Sequence, residues 1–417
     1  MRFGLLGKKL GHSYSPQIHS YLGDYPYELF EKSPDELEQF LRDGDFFGLN
    51  VTIPYKKDVL PYCSSLSDCA KMLGAVNTIV RKDDGSLVGH NTDYFGFQSM
   101  LVRTGLQVSG KKVLVLGSGG ASVTVSAVLK QLGANVIVIS RSGKNNYTNL
   151  HIHANASVIV NTTPVGMYPN IGTSPIDLSL FPDLEGVLDV IYNPARTKLL
   201  LDAEERGLIT ENGLWMLVAQ AKESAEWFTG NIIPDEKIDE IHGLLRTQME
   251  NIVLIGMPGS GKTTIGRILA ERLGRKFIDT DAQIEFQAGM SIPDIFSAYG
   301  EDGFRKLETN VLSQFGKESG LVIATGGGCV TKGVNYPVLH QNGKIIWIQR
   351  DISTLPTEGR PLSQRAKMEQ MYTMRKPLYE QFSDYAICNN ATVDLAVKKI
   401  LEKEKSYENS SFERSEH

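Results

Sequence analysis

The run Gly256-Met-Pro-Gly-Ser-Gly-Lys-Thr-Thr264 has the spacing that cradles a phosphate chain. Its glycines let backbone N–H groups face one way, and the following helix N-terminus adds partial positive charge. In that frame Lys262 reaches the β- and γ-phosphates and Thr263 offers its hydroxyl to Mg²⁺. Gly259, Ser260, Gly261 and Thr264 complete the loop. Further on, Asp279-Thr-Asp281 reads as two carboxylates pointing the same way from one strand end, one for Mg²⁺ and one for a substrate hydroxyl. Gly326-Gly327-Gly328 would let a substrate lie against bare backbone. Three separated arginines, Arg305, Arg360 and Arg375, suit a carboxylate substrate and a phosphoryl group in transfer if they converge.

A second set of polar residues lies in the first hundred positions: Ser13, Ser15, Thr52, Lys56, Asn77 and Asp93. Hydroxyls, an amide, one lysine and one aspartate at the ends of apolar runs suit a small polyhydroxy or carboxylate ligand. Taken singly each has a plainer role: a serine as helix cap, Asn77 as turn residue, Lys56 as solvated charge. A third set is Gly117-Ser118-Gly119-Gly120-Ala121-Ser122, a dinucleotide fingerprint with serine in place of its last glycine or alanine. After the next strand, where a carboxylate would hold the ribose of NAD, stand Ser140, Arg141 and Ser142. A guanidinium binds a 2′-phosphate, so NADP(H) is favoured over NAD.

These residues need elements to hold them, and the pattern is α/β throughout. Phe3–Leu6 and Gly48–Ile53 read as strands, Pro16–Tyr21 and Pro34–Asp43 as helices. Lys111–Leu116, the helix Ala121–Leu132 and Asn135–Ile139 make a strand–helix–strand unit, with Ala156–Asn161 and Gly186–Val190 extending the same sheet. Residues 214–247 read as helical and place Gln220 near the cleft of the first domain. Asn251–Ile255 and Thr264–Leu273 flank the phosphate loop. The expected division is 1–100 as an α/β substrate domain completed by 214–247, 101–213 as a Rossmann-like domain, 251–403 as a P-loop domain, and 404–417 as a disordered tail.

With 417 residues, 41% apolar and 22% charged, two or three globular domains are the expectation. The net charge of −5 gives no support to a nucleic-acid-coating role, and no run is apolar enough for a membrane span. Cys63, Cys69, Cys329 and Cys388 are scattered, which points to reduced thiols and a cytoplasmic setting. An oligomer is compatible with all of this.

Residues 1–247 resemble shikimate dehydrogenase through His12-Ser-Tyr-Ser-Pro16, Asn50-Val-Thr-Ile-Pro-Tyr-Lys56, Gly74-Ala-Val-Asn-Thr78, Asn91-Thr-Asp93 and the glycine run at 117. The resemblance implies that Ser13, Ser15, Thr52, Asn77, Asp93, Tyr192 and Gln220 hold shikimate. It makes Lys56 and Asp93 the catalytic pair, and Gly213 is grouped with the NADP residues. One departure is Ala225, where the family carries an aromatic residue. Residues 251–400 resemble shikimate kinase, with a fold of the nucleoside-monophosphate-kinase type, through the phosphate loop, Asp279-Thr-Asp281, Phe304-Arg305 with Glu308, the three glycines, Arg360-Pro-Leu362 and Arg375-Lys-Pro-Leu-Tyr379. There the resemblance implies that Asp281, Arg305, Gly327 and Arg375 bind shikimate and that Arg360 belongs to a lid. Together they imply consecutive steps of aromatic amino acid (chorismate) biosynthesis: 3-dehydroshikimate to shikimate with NADPH, then shikimate to its 3-phosphate with ATP and Mg²⁺. A ligand-sensing regulator built from decayed copies would show broken catalytic motifs, whereas Lys56, Asp93, Lys262 and Asp281 are all present. Quinate remains an alternative substrate for the first half.

Overall fold

The structure is a computed structural model that describes residues 2–11, 13–354 and 362–410. Its first sheet takes strands β1 (Phe3–Gly7), β2 (Tyr27–Glu31), β3 (Gly48–Val51), β4 (Ser65–Leu66), β5 (Thr78–Arg81) and β6 (Leu87–His90) in the order β2-β1-β3-β5-β6-β4. Helices α1 (Ser15–Leu22), α2 (Pro34–Asp43), α3 (Asp68–Leu73) and α4 (Asp93–Thr104) belong to the same part. Strand β3 lies parallel to β1 and antiparallel to β5, with Asn50 opposite Thr78. Two polar residues therefore face each other in the middle of the sheet.

The second sheet is all parallel, in the order β11-β10-β9-β7-β8. It uses β7 (Lys112–Leu116), β8 (Asn135–Ile139), β9 (Val158–Asn161), β10 (Gly186–Asp189) and β11 (Ile209–Glu211), with α5 (Gly120–Gln131) and α6 (Lys198–Glu205). A parallel strand covered on both faces must be apolar at successive positions. Val113, Leu114, Val115 and Leu116 are each 0% exposed, and burying such side chains contributes roughly 1.5–3 kcal/mol apiece. That burial fixes the strand whose carboxyl end the glycine turn leaves.

Residues 214–247, expected to be helical, form α7 (Leu214–Thr229) and α8 (Glu236–Met249). Gly230 at φ 71° ends α7 in the left-handed conformation that glycine tolerates best. Helix α7 packs on α4 and α1.

The third sheet is also parallel, β13-β14-β12-β15-β16, built from β12 (Asn251–Ile255), β13 (Phe277–Asp279), β14 (Val322–Ala324), β15 (Gly343–Gln349) and β16 (Tyr385–Cys388). Around it run α9 (Lys262–Leu273), α10 (Thr280–Ala288), α11 (Ile292–Gly316), α12 (Asn335–His340), α13 (Leu362–Phe382) and α14 (Val393–Ser410).

Chain contacts separate two compact units; most of the expected substrate and Rossmann-like domains lies in one and the expected P-loop domain in the other. Unit 1 is Met1–Gly166, Thr173–Tyr192 and Asp202–His242; unit 2 is Met167–Gly172, Asn193–Leu201 and Gly243–His417. The tail expected to be disordered from 404 is helical through Ser410, because α14 continues from the apolar face that buries Ala396, Val397 and Ile400. Among the described residues no helix is long and apolar enough to cross a membrane.

Candidate active sites

In unit 1, the turn into α1 brings the Oγ atoms of Ser13 and Ser15 to 3.2 Å from each other. Tyr14 between them meets Tyr192 edge-on, ring centroids 6.1 Å apart, so the loop after β10 reaches this turn. Burial pushes the Tyr192 phenol above its ordinary range and keeps it a protonated donor. Thr52 follows β3, held by its N–H on the carbonyl of Leu6. Four residues later, Lys56 Nζ lies 2.5 Å from Asp93 Oδ2, with side chains 29% and 17% exposed. Asp93 opens α4. One turn further on, a Cβ at Gly96 would fall 3.0 Å from Cβ of Gln220. The missing side chain thus lets α7 approach α4 and sets Gln220 against the helix that Asp93 opens. Asn77 is 2% exposed, and its Oδ1 accepts the backbone N–H of Thr92 at 2.7 Å. All seven expected substrate residues of this half lie in unit 1.

The dinucleotide turn leaves β7 with Gly117 at φ 107°, where a Cβ would come 2.8 Å from Thr162 Oγ1. Gly119 and Gly120 have open space where side chains would stand, room for a pyrophosphate over the start of α5. The serine that departs from the fingerprint has a local reason: Ser122 Oγ donates to the carbonyl of Gly117 at 2.7 Å and ties the turn shut. Arg141 and Ser142 are exposed after β8, with Ser140 in a turn closed by its N–H on Asn145 O. An exposed guanidinium and hydroxyls at that strand end fit a 2′-phosphate. Gly213 caps α7; a Cβ there would collide with the carbonyl of Val190. Sequence reasoning did not join Asn161 to Asp189. They end adjacent strands in register, and Asn161 Nδ2 donates to Asp189 Oδ1 at 3.0 Å. This buried bond fixes both loops that follow.

In unit 2, Lys262 is buried and donates to the carbonyls of Gly256 and Met257 at 2.8 and 3.0 Å. Burial pulls its ammonium below the ordinary lysine range, while Cys329, Asp281 and Asp279 pull the other way. Ser260 Oγ is buried without a hydrogen-bond partner, and Gly259 and Thr264 are exposed beside it. A buried hydroxyl without a partner, in a turn whose Gly256, Gly259 and Gly261 all have positive φ, fits a phosphate. Thr263 Oγ1 donates to Asp279 Oδ2 at 2.8 Å; a hydroxyl and a carboxylate oxygen so placed are the hard donors Mg²⁺ takes beside its waters and nucleotide phosphates.

The expectation that Asp279 and Asp281 share a strand end is corrected. Strand β13 stops at Asp279, which turns to cap α10 by accepting the N–H groups of Asp281 and Ala282. Asp281 therefore leaves from the first helical turn, and its carboxylate goes elsewhere. Its Oδ1 and Glu308 Oε1 each come 2.7 Å from where a Cβ of Gly326 would stand, and both oxygens are buried without a partner. Burial, then Asp279, push the Asp281 carboxyl above its usual range, against Lys262 and Arg305.

Arg305 donates to Glu308 Oε2 at 2.8 Å and to Glu301 Oε1 at 3.2 Å. Its guanidinium occupies the space where Gly328 lacks a side chain. Arg375 Nη1 and the Tyr379 hydroxyl both donate to the carbonyl of Gly327, at 3.1 and 2.5 Å. Two of the three expected arginines thus converge on the glycine turn; Arg360 lies outside the described residues. Two neighbours of the phosphate loop carried no sequence signal: Asn389 donates to Ser260 O at 2.8 Å and Arg350 to Gly259 O at 3.3 Å. Each follows a strand of the third sheet and is a loop residue until the sheet order is known.

Comparison with known proteins agrees with both halves. The family model "Shikimate dehydrogenase substrate binding domain" matches residues 5–79, and "Shikimate kinase" matches residues 258–405. A shikimate dehydrogenase (NADP(+)) of Clostridium perfringens is 36% identical over 266 residues, covering 58% of this chain and 98% of the relative. Among solved structures, a chorismate mutase/shikimate 5-dehydrogenase fusion protein from Clostridium acetobutylicum is 36% identical, with a TM-score of 0.56, over 58% of this chain and 96% of that one. A shikimate 5-dehydrogenase from Thermus thermophilus, in complex with NADP(H) and shikimate, is 30% identical with a TM-score of 0.54, over 58% and 98%.

Proposed function

Since this chain belongs to the shikimate dehydrogenase family and carries a shikimate kinase domain behind that part, we propose that it performs two consecutive reactions of the shikimate pathway. The first reduces 3-dehydroshikimate to shikimate with NADPH; the second transfers phosphate from ATP to the 3-hydroxyl of shikimate. The observation that carries this reading is that two complete sets of reacting groups stand on one polypeptide: Lys56 against Asp93, and Asp281 with Lys262 beside the glycine turn.

In the first site Ser13 and Ser15 bind the substrate carboxylate, while Thr52, Asn77, Tyr192 and Gln220 hold the ring hydroxyls. Residues 117–122, Gly213 and Ser140–Ser142 would hold the nicotinamide cofactor, which when bound would supply the hydride. Lys56 gives a proton to the oxygen at C3 as it gains negative charge, and Asp93 accepts a hydrogen bond from the hydroxyl that results. In the second site Arg305 and Arg375 bind the shikimate carboxylate along Gly327, and Asp281 accepts the proton of the attacking hydroxyl. Its raised pKa suits a base that must hold that proton briefly. ATP with Mg²⁺ would bring the phosphoryl group; Lys262 would offset its charge, Thr263 and Asp279 would hold the metal, and Arg360 is assigned to the nucleotide.

The test uses the purified full-length protein with shikimate and NADP⁺, with quinate and NAD⁺ as competitors, and separately with shikimate, ATP and Mg²⁺. Both activities are expected, with shikimate preferred over quinate and NADP⁺ over NAD⁺. Failure of shikimate to support either reaction overturns the assignment.

A further inference from the structure

A buried polar chain runs beneath the first site and ends on Asn77; its other members, Tyr27, Asn50 and Thr78, are assigned to neither substrate nor cofactor. It begins at Tyr27, the first residue of β2. The Tyr27 hydroxyl donates to Asn50 Oδ1 at 2.7 Å. Asn50 is 5% exposed, and its Nδ2 donates to Thr78 Oγ1 at 3.2 Å, its cross-strand partner. Thr78 is fully buried and passes its proton toward Asn77 Oδ1 at 3.1 Å. Asn77 Nδ2 in turn donates to Thr92 Oγ1 at 3.0 Å, one residue before Asp93.

The direction of these bonds follows from donor and acceptor counts. The backbone N–H of Thr92 can only donate, so the oxygen of the Asn77 carboxamide faces it. Thr78, accepting from the amide of Asn50, has its hydrogen left for that same oxygen. Asn50 must then turn its own oxygen the other way, where it needs a donor. Ser224 Oγ is 3.4 Å away, but its single hydrogen has a shorter partner in the carbonyl of Ala221 at 2.8 Å. The Tyr27 phenol fills the need. Burial, then Tyr25, push its ionisation far above the usual phenol range, so it stays protonated; a hydrogen bond with Ser15 acts the other way.

We propose that Tyr27 is a positioning residue for the dehydrogenase substrate, holding the Asn77 carboxamide in place through Asn50 and Thr78. With Asn77 Oδ1 occupied twice from below, the second N–H of its amide is what the pocket presents to a substrate hydroxyl. The inference rests on the dehydrogenase reading of this site. Turnover of shikimate by the unmodified protein tests that reading, and the variants below test only the role of Tyr27.

The experiment compares Tyr27→Phe with Tyr25→Phe in the full-length chain. Tyr25 bonds His19 Nδ1 at 2.8 Å in the same aromatic cluster but is not a link of the chain to Asn77. Loss of one buried donor is expected to raise KM for shikimate about three- to tenfold in Tyr27→Phe, with KM for NADP⁺ and the kinase rate within about twofold. Tyr25→Phe should leave all three within the same limits. In an Asn77→Ser background the effect of Tyr27→Phe should shrink, since its route is gone. Should Tyr27→Phe fail to fold, Asn50→Ser breaks the same chain and is expected to raise the same KM alone. The proposal is overturned if KM for shikimate stays within twofold, if Tyr25→Phe matches Tyr27→Phe, or if the effect persists in full without Asn77.

Discussion

Replacing Lys56 by alanine separates chemistry from binding in the first site. The ammonium lies 2.5 Å from Asp93 Oδ2, and both side chains are less than a third exposed. A positioned acid is worth about 10²- to 10⁴-fold in rate, which at 1.36 kcal/mol per decade is roughly 3–5 kcal/mol of barrier. Binding should suffer far less, because Ser13, Ser15, Thr52, Asn77 and Gln220 keep their places. One lost hydrogen bond among several costs on the order of 1 kcal/mol, about fivefold in KM. The assay follows reduced nicotinamide at saturating NADP⁺ while shikimate is varied. The kinase rate of the same preparation reports that the polypeptide is folded. A fall in kcat of two decades or more with a KM change under tenfold is expected. A kcat loss below tenfold, or a KM rise equal to the kcat loss, would refute the assignment of Lys56 as the acid.

Three further outcomes are expected. Arg141→Ala should raise KM for NADP⁺ by roughly tenfold and leave KM for NAD⁺ nearly unchanged; equal losses for both cofactors would deny Arg141 contact with the 2′-phosphate. Gly327→Ala places a Cβ 2.6 Å from Pro258 in the phosphate loop, so the kinase rate should drop more than tenfold while dehydrogenase activity stays intact, and a fully active kinase would sink that packing argument. Burial holds the His19 imidazole down at about 3, from an ordinary 6.5, so the folded state stays neutral where the unfolded chain takes a proton. Stability should therefore fall as pH drops from about 6.5 towards 3, by on the order of a few kcal/mol. Urea midpoints of the wild type and His19→Gln across that window check this, and parallel pH curves would count against it.

What the sequence disclosed, and what it withheld, divides along a physical line. The phosphate loop, the dinucleotide turn and the Lys56 and Asp93 motifs were legible because each depends on local backbone chemistry: glycines where φ is positive, a helix start behind them, a charged group at a strand end. The same logic misled at Asp279 and Asp281. Alternation along a strand predicted two parallel carboxylates, but Asp279 satisfies the amides that open α10, and that capping bond ends the strand one residue too early for the pattern to hold. Nothing local marks Asn389, Arg350, Asn161 or Asp189, since their partners depend on which strands are neighbours. Tyr27 is the sharpest case. In sequence it is one of several aromatics near Tyr25, and only the placing of β1 between β2 and β3 puts its hydroxyl within reach of Asn50. Motifs mark the groups that touch a ligand, because those sit at turns with strict backbone needs. The groups that aim them lie inside strands, where a polar side chain is tolerated only if the neighbouring strand supplies its partner. A buried asparagine in the middle of an apolar run, such as Asn50 after Leu49, is then a signal in itself: it says that a donor must come from an element not adjacent in sequence.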